Sequence, residues 1–319
     1  MGSKKIFYDA PGKFQDTRFE RIHNVTFPSA AEASKLVAEE IATEIRSSIN
    51  KPYILGLATG SSPIGVYKEL VKLHKNEGLS FKNVITFNLD EYFPIEKNDL
   101  LSYNHFMKYH LFDHVDIPKE NIYIPQGNIS SKSVYSYCNE YEKKINAFGG
   151  LDFQLLGIGR TGHIGFNEPG SNKNSVTRLV SLDFITKEDA AVDFNGIDNV
   201  PDKAITMGVD TIMKAKRIVL LAWGHKKSEK VAKSIEGPIS SMVPASFLQS
   251  HSNISIILDE EASSELTRYK TPWLVKDCKW DDTLRKKAIS WLCNKLQKPI
   301  LKLTQRDYNE NGLSDLLET

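Results

Sequence analysis

Residues 53–78 read YILGLATGSSPIGVYKELVKLHKNEG, and this stretch decides the fold class of the chain. Its first six residues are an apolar run that predicts a short buried strand. After a Gly-Ser turn, apolar residues recur at helical spacing until Gly78, a residue type that commonly follows the end of a helix. A strand, a turn and a helix in this order form the building block of an α/β domain.

The same alternation continues on both sides of this unit. Further strands are expected over residues 83–88, 122–124, 152–157, 217–222 and 254–258, and helices near residues 30–49, 103–112, 134–145, 225–235 and 260–268. This order predicts a doubly wound α/β sheet with helices on both faces.

Two regions depart from the alternation. Residues 174–209 have weak periodicity and turn-forming clusters, which predicts an irregular lid over the domain. Residues 269–319 carry three tryptophans and a helical apolar stripe at Leu284, Ala288, Leu292 and Leu296. We therefore expect an N-terminal extension over residues 1–21, a main domain over 22–268 and a C-terminal helical extension over 269–319. A link to a further domain is one alternative for that extension.

Composition excludes several classes of protein. The 319 residues are 40% hydrophobic and 25% charged, which is ordinary for a globular protein and argues against disorder or a fibrous coil. The 41 Lys and Arg nearly balance the 40 Asp and Glu, giving a net charge of +1, and no long basic run is present. Nucleic acid is therefore not the expected partner.

Cysteine usage and hydropathy bear on location. Cys138, Cys278 and Cys293 cannot all pair within one chain and lack the two-residue spacing of zinc or redox motifs, so free thiols are expected. No stretch has the roughly 18 apolar residues of a membrane span, and residues 1–9 lack the apolar core of a signal peptide. We therefore expect a cytoplasmic protein with no membrane partner.

Ligands of doubly wound sheets bind beyond the carboxyl ends of the strands, so the loops that follow the strands should carry the chemistry. The first, ATGSSP at residues 58–63, could cradle a phosphate with hydroxyls and helix N-terminal amides, or could be an ordinary capped turn. The fourth offers Lys226 and Lys227, which suit a phosphate or a solvated helix start.

The other two loops carry titratable groups. In NLDEYF at residues 88–93, Asp90 and Glu91 follow an apolar strand and should point apart, one catalytic and one structural, unless both merely cap a helix or strand end. In LGIGRTGHIGFNEPG at residues 156–170, five glycines surround His163, and Glu168 follows five residues later. Such glycine density indicates close approach of the backbone to a ligand or to another loop.

Together with the run at residues 200–209, these motifs resemble the glucosamine-6-phosphate deaminase (glucosamine-6-phosphate isomerase) family over residues 22–268. The GHIGFNEP block at residues 162–169 is the most specific part of the resemblance. It implies a Rossmann-like α/β fold. It also implies conversion of glucosamine 6-phosphate and water to fructose 6-phosphate and ammonia in amino-sugar catabolism, with no metal and no organic cofactor.

The resemblance implies a role for each matched residue. Asp90 resembles the base that moves a proton between C2 and C1, and His163 the group that opens the sugar ring. Glu168 resembles the carboxylate that orients this imidazole. Thr161 stands beside His163 in the same motif. The phosphate would be bound by Thr59, Gly60, Ser61, Ser62 and Lys227.

Two positions depart from the family pattern. Relatives commonly have Asp two residues before the histidine, where this chain has Thr161, and a hydroxyl cannot stabilise imidazolium as a charge would. Arg178 resembles an effector-site arginine of allosterically regulated relatives, but Val180 stands where their lysine would be. The resemblance therefore does not extend to the complete effector site.

Alternatives remain at this point. A 6-phosphogluconolactonase-like hydrolase shares the fold and a similar Gly-His loop, although the residues 90–92 and 166–169 resemble the deaminase. A non-catalytic sugar-phosphate sensor would retain the cavity without turnover. The sequence leaves the oligomeric state open, with a homo-oligomer as one alternative, because relatives include both monomers and larger assemblies.

Overall fold

The computed structural model of the protein describes residues 18–49 and 51–318. The chain divides into two compact units, with the boundary between Ser263 and Ser264. Most of the expected N-terminal extension, residues 1–17, lies outside the described residues.

Strands and helices alternate along the first unit, and short helices make up the second. The strands are β1 (Asn24–Phe27), β2 (Tyr53–Leu57), β3 (Val84–Asn88), β4 (Asp90–Phe93), β5 (Ile122–Tyr123), β6 (Phe153–Gly157), β7 (Arg178–Ser181), β8 (Lys203–Thr206), β9 (Ile218–Ala222) and β10 (Ile254–Asp259). The helices are α1 (Ala30–Ser47), α2 (Ile64–Glu77), α3 (Tyr103–His110), α4 (Val134–Ala147), α5 (Phe184–Ala190), α6 (Val209–Met213), α7 (Ser228–Ile235), α8 (Glu260–Ser263), α9 (Thr267–Lys270), α10 (Asp282–Leu296) and α11 (Gln305–Asn309). In the described part of the chain, none of these helices combines the length and the apolar character needed to cross a membrane.

Seven strands form one sheet in the order β1-β10-β9-β6-β2-β3-β5, and all the pairings are parallel. From β2 the chain first builds outward through β3 and β5, and then returns to the other side of β2 with β6, β9 and β10. The strand order therefore reverses between β2 and β6, which is where ligands bind in such sheets. The predicted doubly wound fold is confirmed, with β1 as an edge strand that the sequence did not predict.

The core lies between this sheet and its helices. Successive side chains of β2 and β3 point to opposite faces of the sheet, toward the helices on each side. Every residue of these two strands is buried. In α1, Ser29 caps the N-terminus, and a stripe of Val37, Ile41 and Ile45 is buried. The stripe ends there, because α1 stops at Ser47 and Ile49 is 81% exposed.

A second sheet of three antiparallel strands, in the order β4-β8-β7, corrects the sequence prediction at two places. Residues 174–209 are not an irregular excursion, since they contain β7, α5 and β8. Residues 90–93, interpreted as part of a loop, form β4 and pair with β8, with Asp90 opposite Thr206. These four-residue strands are too short to show a clear alternation, and their partners are distant in sequence.

The second unit has a small core of its own. Trp273, Ala288, Leu292, Leu313 and Leu316 are its buried members. The predicted helical stripe is found in α10, which Asp281 caps by accepting a hydrogen bond from the Leu284 amide. The helix expected over residues 260–268 is wrong as one element, since α8 and α9 are separate four-residue helices.

Candidate active site

The loops at the carboxyl ends of β2, β3, β6 and β9 surround one cavity of about 650 Å³. All four loops that the sequence marked contribute to its wall. Of the predicted site residues, those that line the cavity are Thr59, Gly60, Ser61, Ser62, Asp90, His163 and Lys227. Thr161 and Glu168 are not on its wall, and both contact the His163 side chain.

Part of the cavity wall is suited to an anion. Residues 59–62, here called the cradle, run from β2 to the N-terminus of the 14-residue α2, where unpaired amides favour negative charge. The Trp223 indole donates a 2.9 Å hydrogen bond to the Ser62 carbonyl and fixes the cradle to the end of β9. Lys227 is half-buried and lines the same cavity. Burial lowers the pKa of the Lys227 ammonium, while the charge of Asp189 opposes the shift.

Asp90 and Glu91 have different environments, as the sequence predicted. Asp90 is 5% exposed and faces the cavity. Burial, reinforced by the neighbouring Glu91 charge, raises the pKa of Asp90 to about 8. The Glu91 carboxylate instead accepts backbone hydrogen bonds from Tyr92 (3.0 Å), Tyr103 (2.8 Å) and Asn104 (3.0 Å), and so holds the start of α3. Burial raises the pKa of Glu91 to about 7, although these three amides act in the opposite direction.

Residues 157–170, here called the His163 loop, fold tightly at the end of β6. The Gly159 amide donates to the His163 carbonyl over 2.9 Å, and a side chain at Gly159 would collide with the His163 ring. Gly165 has a φ of +55°, and a Cβ there would lie 3.3 Å from the Asp90 carboxylate. The glycines therefore bring the backbone close both to the imidazole and to the second loop.

Asn167 anchors the His163 loop to the second sheet. Its amide nitrogen donates to the carbonyls of Ile164 and Met207, each over 2.8 Å. Its amide oxygen accepts a 2.9 Å hydrogen bond from Arg178. The sequence did not identify Asn167 as an anchor, because nothing local indicates that one of its partners, Met207, lies forty residues away.

His163 sits at the centre of a hydrogen-bonded group. Its Nδ1 lies 3.0 Å from Glu168 Oε2 and 2.8 Å from the Thr161 hydroxyl, which itself donates to Glu168 Oε2 over 3.1 Å. Burial alone would raise the pKa of Glu168. The hydrogen bonds from His163, Thr186 and Thr161, together with the His163 charge, outweigh burial and hold this pKa below its usual value. A carboxylate at this atom fixes the tautomer and orientation of the imidazole.

The sequence missed the cavity wall that the second sheet and its neighbours supply. Four aromatic rings pack together there, with Tyr92 lying 4.9 Å from Tyr103, 5.4 Å from Phe166 and 5.1 Å from Phe194 between ring centroids. Residues 174–209, here called the lid, add Thr186, Asp189, Ala190, Asp193 and Phe194 to the wall.

Two further features concern charge at the site. Arg160, on the His163 loop, pairs with Glu188 and Asp189 of the lid helix α5, with 3.1 Å to Asp189. The motifs in the sequence did not suggest a role for this arginine. Among the residues that the structure describes, no three His, Cys, Asp or Glu side chains are grouped as metal ligands. The three cysteines are free, as expected.

Comparison with known proteins agrees with this geometry. Residues 28–256 match the family described as glucosamine-6-phosphate isomerases/6-phosphogluconolactonase. The chain belongs to this family. A family member, the glucosamine-6-phosphate deaminase of Oceanobacillus iheyensis, is 47% identical over 234 residues, which cover 73% of this chain and 92% of that protein. A glucosamine-6-phosphate deaminase-like protein of Bacteroides thetaiotaomicron is 49% identical over 303 residues, or 94% of this chain. The chain spans only 46% of the length of that relative.

Solved structures of the family show the same fold. A monomeric glucosamine-6-phosphate deaminase matches 76% of this chain and all of its own, with a TM-score of 0.74 and 42% identity. A 6-phosphogluconolactonase from Trypanosoma cruzi matches 77% of this chain and 97% of its own, with a TM-score of 0.62 and 21% identity. At that identity the lactonase shares the fold, and its activity is not transferred to this chain.

Proposed function

We propose that this protein catalyses the isomerising deamination of glucosamine 6-phosphate to fructose 6-phosphate and ammonia, a hydrolytic step of amino-sugar catabolism. The observation that carries the proposal is the lining of one cavity, whose wall includes Asp90, His163, the cradle and Lys227. Relatives at 47% identity that are named glucosamine-6-phosphate deaminase support the same reaction. No metal ion and no organic cofactor enter the proposed reaction.

The cradle and Lys227 would bind the phosphate. Hydroxyls of Thr59, Ser61 and Ser62, backbone amides at the start of α2 and the Lys227 ammonium all favour a dianion. Half-burial of Lys227 strengthens its attraction for a phosphate, because less water screens the charge. Binding the phosphate at the cradle would position the reacting carbons in the same cavity as Asp90 and His163.

The His163 loop would open the sugar ring. In this step His163 passes a proton to the ring oxygen and takes up the proton that the C1 hydroxyl loses. The bond between C1 and the ring oxygen breaks, and the open-chain aldehyde results. Glu168 accepts from Nδ1 and stabilises the charged imidazole, with Thr161 as an additional partner of both groups. Glu168 therefore supplies the negative charge that Thr161 cannot.

Asp90 would carry the isomerisation. Its carboxylate takes the proton from C2 and returns it to C1, while a second proton passes from the amine nitrogen to O1. The C1 carbonyl thereby becomes an alcohol and the C2–N bond becomes an imine. Water then adds to C2 and ammonia leaves, which gives fructose 6-phosphate. A carboxyl with a pKa of about 8 is matched to accepting and releasing a proton near neutral pH.

We further propose that the lid covers the substrate and that the enzyme acts in the cytoplasm. Five lid residues on the cavity wall support the first point. The three free cysteines and a charged sugar phosphate as substrate support the second.

The test measures ammonia and fructose 6-phosphate released from glucosamine 6-phosphate in the presence of EDTA. The wild type should release both products in equal amounts, and Asp90→Asn should release neither. Asp113→Asn, which changes an exposed carboxylate outside the cavity, is the matched control and should behave as the wild type.

Two other outcomes would contradict the proposal and favour a different function. Hydrolysis of 6-phosphogluconolactone without ammonia release from the amino sugar would assign the protein to the lactonase branch of the family. Binding of glucosamine 6-phosphate without turnover would make it a sugar-phosphate sensor, and the departure at Thr161 would then be the first place to look for the cause.

A further inference from the structure

The lid helix α5 contacts the His163 loop through a hydroxyl that reaches Glu168. Thr186, in the first turn of α5, donates a 2.6 Å hydrogen bond to Glu168 Oε1. The Thr186 side chain is also on the cavity wall, although the residue is only 7% exposed. Its hydroxyl oxygen lies 3.3 Å from His163 Nδ1.

The two oxygens of Glu168 accept hydrogen bonds from different parts of the chain. Oε2 accepts from His163 and Thr161, which belong to the same loop as Glu168. Oε1 accepts from the lid, through the Thr186 hydroxyl and a longer 3.5 Å contact from the Asp183 backbone amide. A carboxylate held at both oxygens cannot rotate, so the Thr186 bond fixes the oxygen that faces the imidazole.

The charged residues of α5 are engaged elsewhere. Lys187 pairs with Asp202 at 2.5 Å. Glu188 and Asp189 pair with Arg160. Thr186 is therefore the side chain by which α5 contacts Glu168, and His163 is the titratable group in contact with that carboxylate.

We propose that Thr186 is a positioning residue, which holds the Glu168 carboxylate ionised and oriented toward His163 and so links the position of the lid to the ring-opening pair. The inference rests on the proposed function for its kinetic consequence. Its structural part, the bond between Thr186 and Glu168, holds for the ligand-free protein and does not depend on the reaction.

The decisive experiment titrates Glu168 in the ligand-free protein. Protein labelled with ¹³C at the glutamate δ-carbon is followed by NMR from pH 3 to 8, and Glu168→Gln assigns the signal. Thr186→Val removes the hydroxyl at nearly constant shape, and its loss should raise the pKa of Glu168 by about one unit. Thr186→Ser keeps the hydroxyl and should restore the wild-type titration.

Arg160→Gln is the matched control for the loss of another lid contact. It removes the ion pairs to Glu188 and Asp189 but leaves the Thr186 hydrogen bond to Glu168, so the Glu168 titration should remain that of the wild type. A wild-type titration in Thr186→Val would overturn the proposal. An equal shift in Arg160→Gln would overturn it too, because the effect would then not require loss of the Thr186 hydrogen bond.

Kinetics with glucosamine 6-phosphate form a second, separable arm. Thr186→Val should reduce kcat about 10-fold with a smaller change in KM, since Thr186 acts through Glu168, and Thr186→Ser should recover kcat. An inactive wild type with the predicted titration shifts would reject the proposed function and retain the Thr186–Glu168 link. An active enzyme whose kcat is unchanged in Thr186→Val would reject the positioning role.

Discussion

Asp90 and Glu168 are two carboxylates beside the same cavity, the first buried and the second half-buried, and their pKa values move in opposite directions. Burial and the neighbouring Glu91 charge raise the pKa of Asp90 to about 8. Burial acts on Glu168 as well, but donors from two segments of the chain outweigh it and lower the pKa. The difference indicates that depth and hydrogen-bond donors together set the pKa of each carboxyl.

The largest expected effect follows from removing Asp90, the group that we propose exchanges the proton. Asp90→Asn keeps the shape of the side chain but cannot accept a proton from carbon, so kcat should fall at least about 1,000-fold. The measurement is fructose 6-phosphate formation at saturating substrate, with substrate binding checked by calorimetry. A kcat of Asp90→Asn within 10-fold of the wild-type value would show that Asp90 is not the base.

The ionised partner should matter somewhat less. Glu168→Gln retains a hydrogen-bonding side chain but loses the charge that stabilises imidazolium, so kcat should fall about 100-fold. Glu140→Gln, which changes an exposed carboxylate on α4, is the control. Equal kcat in Glu168→Gln and Asp90→Asn would contradict the proposal that Glu168 and Asp90 have different roles.

A substitution at the proposed phosphate site tests a group that is not a carboxylate. Lys227→Ala removes a charge that we propose contacts the phosphate in ground and transition states alike. We expect kcat/KM to fall about 10- to 100-fold, mainly through KM. Its exposed neighbour offers the control Lys226→Ala. A loss confined to kcat would instead mean that Lys227 acts on the reacting carbons.

The smallest expected effect is on stability and has a definite sign. Between pH 4 and 8 the folded protein holds a proton on Asp90 that the unfolded chain has lost, so stability falls as pH rises through this window. Asn does not titrate, so Asp90→Asn should raise Tm by a few degrees more at pH 8.5 than at pH 5. Calorimetry at the two pH values measures this difference, and an identical Tm change at both would contradict the raised pKa.

The strands of the large sheet were predictable because each is a short apolar run buried on both faces. The prediction over residues 53–58 matches β2 to within one residue, and the exits of these strands correctly indicated where the cavity lies. The second sheet was not predictable in this way. β4 carries two carboxylates in four residues, and its partner β8 lies more than a hundred residues later.

The residues of the candidate site likewise fall into those that local sequence indicated and those that it did not. Local signals, such as glycine density around His163 and adjacent carboxylates after β3, were enough to select the candidate residues. Thr186 and Asp189 carried no local signal, since a threonine and an aspartate on a short helix are ordinary surface residues. Their relation to the cavity depends on how the lid folds back over the His163 loop.

The sequence alone determined the alternation of strands and helices, the loops that line the cavity and the titratable residue types that they carry. These properties are local, because hydrophobic period and glycine content act within one element. Only the tertiary structure decided that Asp90 faces the cavity while Glu91 holds α3, and that Thr186 reaches Glu168. Burial and hydrogen-bond partners set each pKa, and both arise from packing between elements that are far apart in the chain.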